Sequence, residues 1–420
     1  MPESRSHSAH SPSRDEVFRR FDVTAKHLPR YVVWELTLAC DHRCLHCGSR
    51  AGDARPGELT TAEAIDVVEQ LAKLGCFEVV LIGGEAYLHE GFLEVVRALK
   101  AHGIRASMST GGLGVTPELA KQMFEAGMHT VSVSVDGLEA EHDAFRARPG
   151  SHAAALEALR VCKTAGLRTA ANTNFNRLNV DAAEAIFELL APLGILAWQP
   201  ILTVPLGRGA DRPAMLLQPW DLLKLMPTLA RLKVRAYEKD ILVHPSNNLG
   251  YFGPDEALLR SPQPGMADHF HGCQAGKMVM GIEAHGAVKG CPSLQSATYV
   301  GGSVKERSLE DLWNTAPQIG FARARTVEDL WGFCRTCPFA ASCLGGCTYS
   351  AHALFDRPGN NPMCHYRARV LESRGLRERL VPSQPAPGAP FDNGKFEIRE
   401  EPFDAPDPKP AKPSLLLRKR

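Results

Sequence analysis

From residue 31 to 205 the chain alternates short β-branched runs with amphipathic stretches of helical length, about six times over. The strand-like runs are YVVWELTL, FEVVLIGG, RASMSTGG, TVSVSVDG, RTAANTNF and LAWQPIL, and each after the first follows a helix-length segment. Two strands joined through a helix lie side by side in parallel, because the crossover returns the chain to its starting edge. The pattern therefore predicts an α/β fold, a partial (β/α)6 TIM-like barrel over 31–205. Helix boundaries are written in, as in TTAEAIDVVEQLAKLG, where Thr60 or Thr61 can cap and Gly75 can close. An open doubly wound sheet is the competing arrangement, but its first strand-to-helix loop would carry GxGxxG where this chain has cysteines. Chemistry in such barrels collects at the C-terminal ends of the strands. Cys40, Gly84, Thr110, Asp136, Asn174 and Gln199 all fall there and are expected to ring one mouth.

The flanking segments read differently. Residues 1–30 are polar and Ser-rich and are expected to be a disordered N-terminal segment. Residues 206–265 form a bridging region with one amphipathic helix, QPWDLLKLMPTLARLKVRAYEKD. Residues 266–372 are rich in loops and glycine and hold seven cysteines. With so little apolar periodicity, that segment is expected to need bound metal for part of its stability. The final forty residues contain nine of the thirty prolines, and 381–420 is read as a disordered Pro-rich tail.

Of 420 residues, 44% are apolar, enough for a large buried core. A net charge of +1 without blocks of like charge gives no reason to expect nucleic acid or an acidic membrane as partner. No apolar signal core opens the chain and no run approaches a membrane span, so a cytoplasmic location is expected.

In a reducing cytoplasm, clustered cysteines point to metal or redox chemistry rather than disulfides. Cys40, Cys44 and Cys47 lie within CDHRCLHC, and Cys273, Cys291, Cys334, Cys337, Cys343, Cys347 and Cys364 form a second field. Cys76 and Cys162 stand alone in helical-looking segments and read as buried structural thiols. A structural zinc site closes with four ligands, whereas an iron–sulfur cluster held by three thiolates keeps one metal atom open. The missing fourth cysteine in the first group favours the open cluster; zinc completed by His42 or His46 is the alternative.

CxxxCxxC after a first strand, followed by LIGGEAYLHEGF at the second, resembles the radical S-adenosylmethionine (radical SAM) superfamily. The resemblance implies a [4Fe-4S] cluster on Cys40, Cys44 and Cys47 whose open iron chelates S-adenosyl-L-methionine. An electron then cleaves the sulfonium to a 5'-deoxyadenosyl radical that takes hydrogen from substrate. It implies that Gly83, Gly84 and Glu85 receive the cofactor's ammonium group. STGG is similar to a Thr-Asn-Gly element near the ribose, with Gly111 in the Asn place, which leaves Ser109 and Thr110 as hydroxyl contacts. In SVDG, Ser134 and Asp136 belong to the same resemblance. Arg146 is either a partner for the cofactor carboxylate or an ion pair with Asp143 or Glu141. Asn174 and Gln199 either contact adenosine or substrate, or cap strands.

CRTCPFAASCLGGC, preceded by Cys273 and GAVKGC and followed by Cys364, resembles the SPASM extension of these enzymes, which carries two auxiliary iron–sulfur clusters. The resemblance implies one cluster on Cys334, Cys337, Cys343 and Cys364, and another on Cys273, Cys291 and Cys347. The second either keeps an open iron or is completed by a side chain such as His271 or His285. The clusters would accept an electron from a substrate radical or hold the substrate.

For function, the resemblance implies a radical SAM/SPASM oxidoreductase or peptide maturase acting on a ribosomally made peptide. Haem or redox-cofactor biosynthesis and sulfatase maturation are alternatives, and a non-enzymatic iron–sulfur scaffold is a further one. CLHCGSRAG has His46 where sulfatase maturases commonly place an aromatic residue, and the haem branch tolerates His there. The implied partners are the peptide or small-molecule substrate, a flavodoxin- or ferredoxin-like electron donor and a separate leader-binding protein.

Overall fold

The computed structural model describes residues 27–407, so the expected disorder of the N-terminal segment falls outside the described residues apart from 27–30. Six strands run in sequential order: β1 (Tyr31–Thr37), β2 (Glu78–Gly83), β3 (Arg105–Thr110), β4 (Thr130–Ser134), β5 (Arg168–Phe175) and β6 (Ala197–Leu202). Every neighbouring pair among them is parallel. A doubly wound sheet would reverse its strand order at a switch point. This sheet does not, and its order is that of a barrel laid open.

The connecting helices form for local reasons. Thr60 caps α1 (Thr61–Lys73) in a reciprocal capping box with Glu63, and Gly75 follows its end at φ +73. Thr116 caps α2 (Pro117–Ala126), Pro117 opens it, and Gly127 closes it at φ +98. Along each strand one face packs on these helices, as with Val131 and Val133 of β4 and Ala171 and Phe175 of β5. The other face carries polar side chains on β3, β4 and β5. On it Asn172 Nδ2 donates to Ser109 Oγ at 2.9 Å, while Ser132 Oγ donates to Asn172 Oδ1 at 3.0 Å. Cys76 and Cys162 are buried in the helix-packed core, as apolar filling.

The cysteine-rich segment, which lacks the apolar periodicity for a core of its own, shares the main one. Its β8 (Val279–Ile282) pairs in parallel with β1, and β9 (Ala287–Lys289) and β10 (Val300–Ser303) extend the same ten-stranded sheet. At the far edge β7 (Leu242–Val243) pairs with β6, after α3 (Leu222–Tyr237) of the bridging region.

The Pro-rich tail is not disordered through the described residues. β11 (Leu376–Gln384) and β12 (Lys395–Pro402) form an antiparallel hairpin. In a two-stranded sheet both strands are edges, so Pro382 costs no ladder hydrogen bond on its free side. Glu401 ties the strands through Arg377 (2.6 Å) and Arg379 (2.8 Å).

Candidate functional site

The first cysteine loop leaves the end of β1 and is closed on itself by Cys40 N–H donating to Gly52 O (3.0 Å) and Gly52 N–H to Leu38 O (2.9 Å). The end of β2 lies directly against it. Gly84 N–H donates to Thr37 O at 2.7 Å and Glu85 N–H to Ala39 O at 2.8 Å. A Cβ on Gly84 would stand 2.0 Å from Ala39 O and 2.7 Å from Cys40 Cβ, and one on Gly83 (φ +148) 2.1 Å from Thr37 O. Only glycines permit that approach.

Glu85 is buried, and its carboxylate accepts from Thr110 Oγ1 (2.5 Å) and Gly111 N–H (2.7 Å). Burial pushes its pKa up to about 7 against the pull of these two bonds. A Cβ on Gly111 would meet His42 Cε1 at 2.8 Å and Glu85 Oε1 at 3.0 Å, which is the physical reason this position is not asparagine. His42 Nδ1 donates to Asp41 Oδ1 at 2.6 Å, and the Tyr87 hydroxyl donates to Asp41 Oδ2 at 2.6 Å. Sequence reasoning missed this Asp41–His42–Tyr87 support, because nothing local marks it.

Each cysteine sulfur of the loop receives a donor. His42 N–H reaches Cys40 Sγ at 3.4 Å, Arg146 Nη1 reaches Cys44 Sγ at 3.6 Å, and Ala51 N–H reaches Cys47 Sγ at 3.3 Å. Burial pushes the Cys40 thiol up to about 12 and that of Cys44 to about 11, so neither ionises near neutrality unless a bound cation compensates. Three thiols with donors already in place, in a pocket that disfavours bare thiolates, fit an iron–sulfur cluster. A different set, Cys40, Asp41, His42 and Glu85, also brings ligand atoms within 4.8 Å of one another. Its carboxylates are already engaged by Thr110, Gly111, Tyr87 and His42, and it would leave Cys44 and Cys47 idle. His46 does not complete a zinc site either, since its ring lies stacked on Phe145, centroids 4.1 Å apart.

The remaining expected cofactor contacts divide. Arg146 pairs with Asp136 rather than with Asp143. Its Nε donates to Asp136 at 2.7 Å. Asp143 instead caps the following helix, accepting from Gly150 N–H (2.6 Å), Ser151 Oγ (3.0 Å) and His152 N–H (2.8 Å). Asp136, also buried, accepts from Asn174 N–H at 2.7 Å, which ties the ends of β4 and β5 together. Ser109, Ser134 and Asn174 are half-buried on the polar face, and the Gln199 side chain is exposed there.

The seven later cysteines gather into two groups. Burial first, then Cys334 and Cys337, push the Cys343 thiol up to about 12, and Cys364 is raised by burial, Cys343 and Cys334. Burial, then Cys347 and Cys273, push Cys291 up to about 12. Tyr251 stands between the groups. Its hydroxyl accepts from Cys347 N–H (3.0 Å) and its carbonyl from Cys364 Sγ (3.6 Å). Thr348 Oγ1 donates to Cys273 Sγ at 3.4 Å. His271 bonds Asp268 at 2.7 Å through Nε2, and His285 bonds Arg55 at 2.8 Å through Nδ1.

Comparison with known proteins bears on this geometry. The family profile described as the Radical SAM superfamily matches residues 34–190, and that of an iron–sulfur cluster-binding domain, SPASM, matches 273–338. The chain is 31% identical over 369 residues to the mycofactocin maturase of Mycobacterium ulcerans, covering 83% of this chain and 95% of that one. It is 29% identical over 364 residues to the AdoMet-dependent heme synthase of Methanosarcina barkeri, covering 82% and 99%. Among solved structures, Streptococcus suis SuiB bound to precursor peptide SuiA superposes with a TM-score of 0.62 at 14% identity, over 83% of this chain and 78% of that one. That likeness is one of fold. These relatives are enzymes, and the cofactors of the family are a [4Fe-4S] cluster, S-adenosylmethionine and further iron–sulfur clusters. With both profiles in chain order and a maturase relative matched over nearly its full length, the chain belongs to the radical SAM superfamily, in the branch that carries a C-terminal SPASM domain.

Proposed function

We propose that this radical SAM enzyme modifies a ribosomally made peptide, with Cys40, Cys44 and Cys47 holding the catalytic cluster. The observation that carries the site assignment is the donor delivered to each of the three sulfurs. The bound cluster and S-adenosylmethionine supply a 5'-deoxyadenosyl radical that takes hydrogen from substrate. The chain's part is to place them. Gly83 and Gly84 bring backbone to the cysteine loop, Glu85 accepts the cofactor's ammonium, and Thr110 and Gly111 fix that carboxylate. Ser109, Ser134, Asn174 and Gln199 line the polar face where adenosine and substrate lie. Cys334, Cys337, Cys343 and Cys364 hold one auxiliary cluster, and Cys273, Cys291 and Cys347 hold another with an open position.

The peptide reading is supported by the maturase relative and by peptide-bound proteins of like fold. A tetrapyrrole substrate is the second reading, favoured by His46 at the position before Cys47 and by the heme synthase relative. A flavodoxin- or ferredoxin-like donor supplies electrons in either case, and a separate protein presents the peptide's leader. No described helix is long and apolar enough to cross a membrane, and we place the enzyme in the cytoplasm.

Anaerobically reconstituted protein with S-adenosylmethionine and dithionite should release 5'-deoxyadenosine. Cys40→Ala/Cys44→Ala/Cys47→Ala should abolish release and keep auxiliary iron; release that survives refutes the assignment. A mass change in candidate precursor peptides, against none in tetrapyrrole carboxylates, separates the two substrate readings.

A further inference from the structure

The cysteine loop of residues 40–52 contains neither helix nor strand beyond one bridge, from Ala39 to Gly52. Its order must come from outside. One clamp is the segment after β6. Arg208 Nε donates to Cys44 O at 2.7 Å, its Nη1 to Ala51 O at 3.0 Å, and its backbone N–H to Cys47 O at 3.0 Å.

The second clamp is the loop between β11 and β12, more than three hundred residues away in sequence. Phe391 N–H donates to Gly48 O at 2.9 Å, and Gly207 N–H donates to Asp392 O at 2.8 Å, so the tail binds both the loop and its first clamp. Arg50 joins all three. Its Nε donates to Asp392 Oδ1 and to Ala389 O, each at 3.1 Å, its Nη2 to Gly207 O at 3.0 Å, and its Nη1 pairs with Asp211 at 2.7 Å. Arg50 (φ +51) and Phe391 (φ +55) both adopt left-handed backbone, a conformation that costs a non-glycine residue free energy and persists only where surroundings impose it. The Phe391 ring lies over Lys289, with Nζ 3.7 Å from its centroid. Lys289 is fully buried, is paired to Glu283 at 2.8 Å, and stands two residues before Cys291. The same tail loop therefore touches the first cysteine loop and the auxiliary cysteine region.

We infer that residues 385–394 are part of the radical site, with Asp392 and Phe391 as positioning residues that hold the Cys40–Cys47 loop through Arg50 and Gly48 and brace it against Lys289. This rests on the reading of that loop as the cluster's holder, and deepens it: a segment with no metal-ligating cysteine sets the loop's order.

The test is amide hydrogen exchange of the metal-free full chain, followed by iron content and the electron paramagnetic resonance of the reconstituted, reduced protein. Asp392→Asn removes the charge on Arg50's tail partner and should speed exchange across 44–52 by about tenfold or more. It should also alter the response of the first cluster's signal to added S-adenosylmethionine. Phe391→Leu, which keeps an apolar body, serves as the second variant and should act in the same direction. Glu401→Gln loosens the hairpin through Arg377 and Arg379 without touching the cysteine loop, and should leave 44–52 unchanged. Unchanged exchange in both Asp392→Asn and Phe391→Leu overturns the inference, as does equal acceleration by Glu401→Gln, which would make the hairpin a general support. Failure of the ligand assignment itself shows separately, as full iron retained when Cys40, Cys44 and Cys47 are replaced by Ala.

Discussion

Arg146 and Asp136 form an ion pair in which both side chains are buried and Nε meets the carboxylate at 2.7 Å. The same guanidinium reaches Cys44 Sγ at 3.6 Å, so the end of β4 is tied to the middle cysteine. Replacing one member of a buried pair strands the other's charge, which costs about 3–5 kcal/mol. Asp136→Asn should therefore lower the unfolding free energy of the metal-free protein by that order, read as a lower denaturant midpoint. Asp136→Asn/Arg146→Met, which removes both charges, should recover part of the loss. A single variant that unfolds at the parent's midpoint would show that the pair holds nothing.

Gly84→Ala places a methyl 2.0 Å from a backbone carbonyl, where no rotamer relieves it. Strand β2 must retreat from the cysteine loop. The expected result is loss of 5'-deoxyadenosine release and of first-site iron, with auxiliary iron kept. Gly57→Ala is the comparison: its φ of +74 carries a strain of about 1 kcal/mol, but nothing lies within 4 Å. It should keep both iron and release.

What local pattern encodes was legible: the strand–helix repeat, the caps at Thr60 and Gly75, and the crowded glycines before Glu85. What arises through space was not. Arg146 has acidic neighbours three and five residues back on its helix, which favours a local pair, yet Asp143 is consumed capping the next helix and the partner comes from β4. The tail's prolines read as disorder because composition ignores that a hairpin has only edges. Its charges pair Glu401 with Arg377 and Arg379 across the hairpin and Asp392 with Arg50. The cysteine-rich segment lacks the periodicity for a core of its own, and the sheet it joins belongs to β1, which no local pattern in 266–372 reveals.

Glu35 and Glu283 sit side by side on β1 and just beyond β8, with opposite titrations. Burial pushes Glu35 up to about 7, with Arg55 and Lys289 pulling it down, Glu283 raising it further and Ala284 N–H donating to it. Burial also acts to raise Glu283, but Lys289, Ser296 and Arg55 outweigh it and hold that carboxyl down to about 2. A folded value above the ordinary 4.5 means that the native state binds the proton more tightly. Glu35's contribution is thus fully present below pH 4.5 and lost as pH rises through 7. Glu283's is lost only as pH falls from 4.5 toward 2. Glu35→Gln, which imitates the neutral form, should raise stability at pH 7.5 by on the order of 3 kcal/mol and flatten the profile between pH 4.5 and 7. Glu85, also near 7, keeps a slope of the same sign in that variant. Denaturant midpoints at pH 5.0 and 7.5 decide it, and an unchanged difference between the two rejects it.

Cys347 follows Cys343 by four residues, and spacing alone would place both on one metal centre with Cys334 and Cys337. The fold separates them. Cys347 caps the N-terminus of α4 (Thr348–Phe355), its N–H held by the Tyr251 hydroxyl, and Cys273 and Cys291 are the sulfurs nearest in influence. Cys364, at the start of the helix His365–Glu372, lies instead near Cys343 and Cys334, and the proposed ligand set takes it as their fourth sulfur. Cys347→Ala should therefore remove iron from the Cys273 and Cys291 group and leave the other auxiliary centre intact, while Cys364→Ala should do the reverse. Iron and sulfide content, with Mössbauer spectra of the two variants, distinguishes the outcomes. Loss of both centres in Cys347→Ala would show that spacing, rather than the fold around Tyr251, assigns the ligands.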